Sequence, residues 1–175
     1  MKNIILTGYM CVGKTTVGKA LAKRIGKTFY DLDWYIEGRR HQRISEIFEQ
    51  YGEQGFRNIE RNMLHELVEF EDIVLSCGGG TPCFYDNMER MNEKGITVYL
   101  KASPQTIATH YKMSHVVRPL LKDKNEDELQ GFIEKQLMER SPFYEQAQHV
   151  VNVDVLDSAN RINEIVECIL NCAES

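Results

Sequence analysis

The stretch GYMCVGKTT, residues 8–16, lies between the apolar run IILT (4–7) and the helix-like segment VGKALAKRIG (17–26). The pattern Gly-x-x-x-x-Gly-Lys-Thr between a strand and a helix is typical of a loop that binds the phosphates of a nucleotide. Its glycines let backbone N–H groups converge on phosphate oxygens, and the following helix directs the positive end of its dipole at them. The expected nucleotide-binding residues here are Gly8, Cys11, Val12, Gly13, Lys14, Thr15 and Thr16.

Two side chains of this loop have expected roles in holding a nucleoside triphosphate. Lys14 is expected to reach the β- and γ-phosphates, and the hydroxyl of Thr15 is expected to face Mg²⁺. The alternative interpretation is a glycine turn with an exposed lysine. The strand before the loop and the helix after it favour the phosphate-binding loop, because the pattern is informative mainly in that context.

Bulk composition predicts one compact domain, residues 1–175, and restricts the classes of partner. The net charge of -5 argues against a nucleic-acid or acidic-membrane surface, since such surfaces use an excess of Lys and Arg. The first apolar run ends at Thr7 and Gly8, which argues against a secretory signal. No run approaches the roughly 18 apolar residues of a membrane helix. We therefore expect a cytoplasmic protein that binds small anions through locally placed cations.

The five cysteines are odd in number and show no CxxC spacing, so most are expected to be reduced and partly buried. A metal shared by Cys168 and Cys172, which lie four apart on a predicted helix, is a minor alternative.

Five β-rich runs alternate with helical patterns, which predicts a parallel sheet with crossover helices. The runs are NIILT (3–7), TFYDLD (28–33), DIVLSC (72–77), ITVYLK (96–101) and HVVNV (149–153). Near the end of the chain, Ile162, Ile165, Val166 and Ile169 form one apolar stripe of a helix. Ser103 is expected to cap a helix that has Pro104 at its first position. The irregular segment 114–127 is predicted to be a mobile, functional loop.

The second strand ends in two aspartates, Asp31 and Asp33, which would lie on one face of that strand beside the nucleotide. One carboxylate can hold Mg²⁺ while the other accepts a hydroxyl proton during phosphoryl transfer. The third strand ends in SCGGG without an acidic residue, so Asp31 becomes the expected metal carboxylate. A switch GTPase is not indicated, because its base-reading Asn-Lys-x-Asp element is absent.

Six segments in chain order resemble the shikimate kinase family over nearly the whole length. They are GYMCVGKTT (8–16), FYDLDWYIE (29–37), ISEIFEQYGEQGFRNIE (44–60), LSCGGG (75–80), VVRPLL (116–121) and RSPFY (140–144). The resemblance implies a three-layer α/β/α fold of the P-loop NTPase type, with a five-stranded parallel sheet in the order 2-3-1-4-5. It also implies a mobile lid at about 114–127 and a substrate-binding helical region at about 34–62.

The activity implied by the resemblance is phosphorylation of the 3-hydroxyl of shikimate by ATP with Mg²⁺, in aromatic amino acid biosynthesis, by a monomer. The implied residue roles follow the family's motifs. For the chemistry, Asp33 is the implied base, Asp31 and Thr15 hold the metal, and Lys14 and the lid residue Arg118 contact ATP in catalysis. For shikimate, Arg57 and Arg140 bind the carboxylate, and Glu60 orients Arg57. The substrate pocket is lined by Gly78, Gly79 and Gly80.

Several alternatives remain open at the level of sequence. Without the resemblance, Arg57 would be interpreted as a solvated arginine that pairs with Glu60 on a helix. A gluconate-type kinase would share the loop and the fold, and a nucleotide sensor would bind ATP without transferring phosphate. Many relatives have an arginine near adenine late in the helix before the lid, where this chain has His110, Tyr111 and Lys112. The adenine loop is placed near VDVLDSAN (153–160) by position alone.

Overall fold

The computed structural model describes residues 2–113, 125–154, 156 and 158–174. A five-stranded sheet has the order β2-β3-β1-β4-β5, and each neighbouring pair of strands is parallel. The strands are β1 (Asn3–Thr7), β2 (Thr28–Asp31), β3 (Ile73–Ser76), β4 (Gly95–Lys101) and β5 (His149–Asn152). The predicted strand order is confirmed.

Helices alternate with these strands and cover both faces of the sheet. They are α1 (Lys14–Ile25), α2 (Leu32–Arg40), α3 (Ile44–Leu67), α4 (Asn87–Lys94), α5 (Pro104–Met113), α6 (Glu126–Tyr144) and α7 (Ala159–Glu174), with a 3₁₀ turn at Thr81–Cys83. The predicted helical region at 34–62 corresponds to α2 and most of α3. Within the described residues, no helix is long and apolar enough to cross a membrane.

The three layers follow from the alternation of side chains along the central strand. In β1, Ile4 and Leu6 pack into a core with α1, α5, α6 and α7, whereas Ile5 packs into a second core with α2, α3 and α4. Alternate residues of a strand face opposite sides of the sheet, so one strand contributes to both cores. The apolar stripe predicted for α7 faces the first core, where Ile165 and Ile169 are buried.

The prediction for the end of the second strand was wrong in detail. The strand ends at Asp31, and Asp33 lies in the first turn of α2 rather than on the strand. The carboxylate of Asp31 accepts hydrogen bonds from the backbone N–H groups of Asp33 and Trp34. Aspartate at this position satisfies N–H groups that a helix start leaves free, so a helix begins two residues earlier than predicted.

The capped start of α5 is confirmed, because the Ser103 hydroxyl accepts a hydrogen bond from the N–H of Thr106. The predicted loop 114–127 lies largely outside the described residues, and so does Arg118. Its last part differs from the prediction. Asn125 caps α6 by accepting a hydrogen bond from the N–H of Glu128, so residues 126 and 127 belong to a helix.

The five cysteines are all within the described residues and are free thiols. The minor alternative of a metal at Cys168 and Cys172 gains no support, because among the described residues no three His, Cys, Asp or Glu side chains are grouped to hold a metal ion.

Candidate active site

A cavity of about 490 Å³ lies where β1, β2 and β3 end at the carboxyl edge of the sheet. Ligands of parallel α/β sheets bind at this edge, where the strand order reverses. The predicted site residues that line the cavity are Cys11, Gly13, Lys14, Thr15, Thr16, Asp31, Asp33, Arg57, Gly78, Gly79, Gly80 and Arg140. The nucleotide-binding pattern and the predicted substrate residues therefore share one hollow.

The loop before α1 has the backbone conformation that its glycines were expected to allow. Gly8 and Gly13 have φ values of 137° and 94°, and Cys11 has a φ of 65° without being glycine. A Cβ at Gly8 would also lie 2.6 Å from the carbonyl oxygen of Leu100. Gly8 and Val12 shape the loop but do not line the cavity, since the Val12 side chain is buried in the core.

Lys14 is the cation at the centre of this loop. Its ammonium donates hydrogen bonds of 2.8 Å to the carbonyl oxygens of Gly8 and Tyr9. Burial lowers the pKa of Lys14 to about 8, and the nearby carboxylates, Asp33 foremost, oppose this shift. The side chain is therefore mostly charged at neutral pH and available to an anionic ligand.

Thr15 and Asp31 bring oxygen atoms from α1 and β2 into contact. The Thr15 hydroxyl donates a 3.1 Å hydrogen bond to Oδ2 of Asp31, while Oδ1 of Asp31 caps α2. Hydroxyl and carboxylate oxygens suit Mg²⁺, which takes few protein ligands and completes its shell with waters and phosphates. These two residues therefore fit a magnesium site beside the phosphate loop.

Arg57 and Glu60 form a pair inside the protein, so the interpretation of Arg57 as a solvated surface residue was wrong. The Arg57 side chain is 11% exposed and that of Glu60 is 1% exposed. Nη1 of Arg57 donates a 2.9 Å hydrogen bond to Oε2 of Glu60. The guanidinium lies over the ring of Phe84, 4.1 Å from its centroid, which adds a cation–π contact.

Gly80 leaves room for the guanidinium of Arg57 beside the backbone. A Cβ at residue 80 would lie 2.7 Å from Nη2 of Arg57, closer than real Cβ contacts. From the sequence, the three glycines at 78–80 were predicted to line the pocket of a bound ligand. For Gly80 the structure adds a reason within the protein, because its backbone leaves room for the arginine. All three glycines line the cavity, and their contact with a ligand stays a prediction.

Arg140 reaches the cavity from α6, and its guanidinium lies 5.6 Å from the centroid of the Tyr9 ring. Four residues after it, the hydroxyl of Tyr144 donates a 2.5 Å hydrogen bond to the carbonyl oxygen of Gly79. Burial raises the pKa of Tyr144, so this hydroxyl stays protonated. Tyr144 thus connects α6 to the glycine backbone, a role that the sequence analysis missed although the residue ends the RSPFY segment.

His110 is a second residue whose place the sequence did not establish. Its Nδ1 lies 3.0 Å from the carbonyl oxygen of Cys11, and the residue lines the cavity at the end of α5. A carbonyl oxygen only accepts, so this contact is a hydrogen bond in the tautomer that carries a proton on Nδ1. Of the three residues weighed for the adenine side, His110 is thus in contact with the phosphate loop.

A sequence model of the shikimate kinase family matches residues 10–171. The chain belongs to this family. A curated shikimate kinase of Bacteroides thetaiotaomicron is 49% identical over 174 residues, which cover 95% of this chain and 99% of the relative.

Two solved shikimate kinases extend this similarity to three dimensions. A crystal structure of the enzyme from Bacteroides thetaiotaomicron superposes with a TM-score of 0.96 at 48% identity and 99% coverage of both chains. The enzyme from Acinetobacter baumannii, solved in complex with shikimate, gives a TM-score of 0.84 at 35% identity and covers 98% of this chain and 94% of its own. The kinase fold inferred from sequence is thereby confirmed.

Proposed function

We propose that this shikimate kinase family member transfers the γ-phosphoryl group of ATP to the 3-hydroxyl of shikimate, giving shikimate 3-phosphate and ADP in aromatic amino acid biosynthesis. One observation carries the proposal: a single cavity joins the phosphate loop at Lys14 to Asp33 and the two arginines Arg57 and Arg140. Family membership and the relative solved with shikimate support the same substrate.

On the nucleotide side, the loop 8–16 surrounds the phosphates of ATP with backbone N–H groups. Lys14 leaves its two carbonyl acceptors to contact the β- and γ-phosphates, and Thr15 and Asp31 hold Mg²⁺. The metal, when bound, neutralises charge on the transferred phosphoryl group. Arg118 lies outside the described residues; from the family resemblance we assign it to the lid, where it contacts the phosphates and helps to exclude water.

On the acceptor side, Arg57 and Arg140 bind the carboxylate of shikimate. A guanidinium is permanently charged and donates two parallel hydrogen bonds, which suits a planar carboxylate. With its carboxylate on the two arginines, the ring of shikimate lies against the backbone of Gly78, Gly79 and Gly80. Asp33 then accepts the proton of the 3-hydroxyl as that oxygen attacks phosphorus, as a general base does.

The proposal also covers the oligomeric state of the enzyme and its location in the cell. We propose that the enzyme acts as a monomer, as the resemblance to the family implies. Its five free thiols and its need for ATP suit the cytoplasm. Its net charge of -5 offers no general surface for nucleic acid or acidic lipid.

The test is an ADP-release assay with the purified protein, ATP and Mg²⁺, supplied with shikimate, quinate, gluconate or no acceptor. We expect release to depend on shikimate, and phosphorus NMR of the product to show one phosphate ester at the 3-hydroxyl. A preference for gluconate would favour the related sugar-acid kinase. ATP binding without ADP release with any acceptor would favour a nucleotide sensor.

A further inference from the structure

Behind Arg57 lies a buried chain of hydrogen bonds that leads away from the cavity. The hydroxyl of Thr81 donates a 2.7 Å hydrogen bond to Oε1 of Glu60, and the other carboxylate oxygen accepts from Arg57. Thr81 is completely buried. Glu60 therefore joins two elements, accepting from the arginine of its own helix α3 and from the 3₁₀ turn that follows the glycines.

The backbone of Thr81 is itself fixed on both sides. Its N–H donates to the carbonyl oxygen of Gly78, and its carbonyl oxygen accepts a 2.9 Å hydrogen bond from Nδ2 of Asn87. Asn87 is fully buried at the start of α4. The hydroxyl of Thr81 is thus held at a defined point against Glu60.

The direction of the Glu60 carboxylate depends on this hydroxyl. The terminal torsion of a glutamate is intrinsically broad, so a single partner on one oxygen leaves its plane poorly defined. Two donors, one on each oxygen, fix the plane and hence the direction in which Oε2 meets Nη1 of Arg57. Without the Thr81 hydroxyl, Oε1 of Glu60 would lose this donor, and the carboxylate, which also lines the cavity, would turn towards another.

Arg57 cannot adjust to such a turn of Glu60, because its surroundings leave the guanidinium little freedom to move. The Phe84 ring lies against the guanidinium, and the backbone of Gly80 approaches its Nη2. Both residues belong to the same short segment as Thr81. To bind a carboxylate through two hydrogen bonds, the guanidinium must lie within a fraction of an ångström of its productive position. A small rotation at Glu60 would therefore weaken binding of the substrate carboxylate.

We propose that Thr81 is a positioning residue for recognition of the substrate carboxylate, acting through Glu60 on Arg57. The inference rests on the proposed function, because it takes the anion bound by Arg57 to be the carboxylate of shikimate. Thr81 does not itself line the cavity. A role limited to filling the turn would alter stability without altering substrate selectivity.

The experiment compares Thr81→Val, which keeps the shape and removes the hydroxyl, with Thr81→Ser, which keeps the hydroxyl. Loss of a buried hydrogen bond to a charged group predicts a KM for shikimate raised roughly tenfold in the valine variant. Its kcat is expected to stay within about twofold of the original and its KM for ATP to be unchanged. Thr81→Ser is expected to restore the KM for shikimate.

A second readout isolates the carboxylate. The methyl ester of shikimate keeps the ring and the hydroxyls but lacks the negative charge that Arg57 binds. We expect Thr81→Val to reduce the preference in kcat/KM for the acid over the ester by roughly tenfold, because the ester gains little from the arginine. A turn that is only loosened would affect both substrates equally and leave the preference unchanged.

Melting temperatures of all variants accompany the kinetics, and Thr81→Ala serves as a second variant without the hydroxyl should the valine variant fail to fold. An unchanged acid-to-ester preference in the folded variant, or a Thr81→Ser variant as impaired as Thr81→Val, would overturn the proposal for Thr81. Absence of shikimate phosphorylation by the unmodified protein in the same assay would instead overturn the proposed function, and with it the assignment of Thr81.

Discussion

The two aspartates at the start of α2 both line the cavity, and we propose different roles for them. Asp31 uses one oxygen to cap the helix and the other to accept from Thr15, so its position is fixed by the protein. Asp33 is in the first turn of the helix and lines the cavity. In the proposed function Asp31, which is fixed beside Thr15, belongs to the metal site, and Asp33 accepts the hydroxyl proton.

Replacing Asp33 by asparagine should remove the base while leaving the nucleotide site intact. We expect kcat of Asp33→Asn to fall by roughly 10²- to 10⁴-fold, the range for loss of a general base, with ATP affinity nearly unchanged. Single-turnover kinetics and calorimetric titration with an ATP analogue measure the two quantities. Turnover close to that of the unmodified protein would remove Asp33 from this role.

Arg57 should matter for its shape as well as for its charge. Arg57→Lys keeps a cation beside Glu60 but loses the fork, so we expect the KM for shikimate to rise roughly ten- to a hundredfold. The KM for ATP should not change, because the interactions described for Arg57 are with Glu60, Glu53 and Phe84 and not with the phosphate loop. A matched control is Arg39→Lys on α2, whose arginine is exposed and outside the cavity. Equal losses for both substrates would indicate that Arg57 supports the fold instead.

At the scale of elements, α3 is fastened to the segment that follows the glycines by a second ion pair. Arg61 donates two hydrogen bonds to Asp86, of 2.7 Å from Nε and 2.9 Å from Nη2. These bonds hold the pKa of Asp86 at about 2, below its ordinary value. Because α3 carries Arg57 and the segment carries Thr81, this exposed pair helps to hold in place the two elements that form the proposed carboxylate site.

The stability contributed by Asp86 should depend on pH in a definite direction. Its pKa is lower in the folded than in the unfolded chain, so the unfolded state binds more protons between about pH 4 and pH 2. The contribution is complete above pH 4 and is lost as the pH falls through 2. We expect Asp86→Asn to be less stable near pH 6 and the difference from the unmodified protein to shrink towards pH 2.

Urea unfolding across this range measures the effect. His65, whose Nε2 lies 3.7 Å from Oδ1 of Asp86, has a pKa lowered mainly by burial, so only the loss between pH 4 and pH 2, where histidines are largely protonated, is assigned to Asp86. A difference in stability that stays constant from pH 6 to pH 2 would contradict an ionic contribution from Asp86.

At the scale of the whole molecule, the parallel sheet with crossover helices was predictable from the alternating strand and helix patterns, which restrict a chain to few arrangements. The strand order itself was supplied by the resemblance to the shikimate kinase family. The meeting of the phosphate loop and the two aspartates was predictable for the same reason, since the carboxyl ends of parallel strands meet at one edge. The arginines and glycines of the cavity were predicted from the resemblance alone. The end of β2 was not predicted, because an aspartate that caps a helix and one that ends a strand give the same local sequence.

The contacts that refine the site were also beyond the sequence. Thr81 meets Glu60 across 21 residues and Tyr144 meets Gly79 across 65, and no local pattern records such pairs. His110 reaches the phosphate loop across 99 residues. Long-range hydrogen bonds of this kind depend on how the finished layers pack, whereas motifs record only neighbours along the chain.

The central claim is that the phosphate loop and the carboxylate-binding arginines face one another across a single cavity. A crystal structure with shikimate, Mg²⁺ and a non-hydrolysable ATP analogue tests it most directly. We predict the shikimate carboxylate on Arg57 and Arg140, the 3-hydroxyl about 2.6–3.2 Å from the carboxylate of Asp33, and the γ-phosphate at Lys14. Shikimate bound outside this cavity, or with its 3-hydroxyl directed away from Asp33 and the γ-phosphate, would contradict the account.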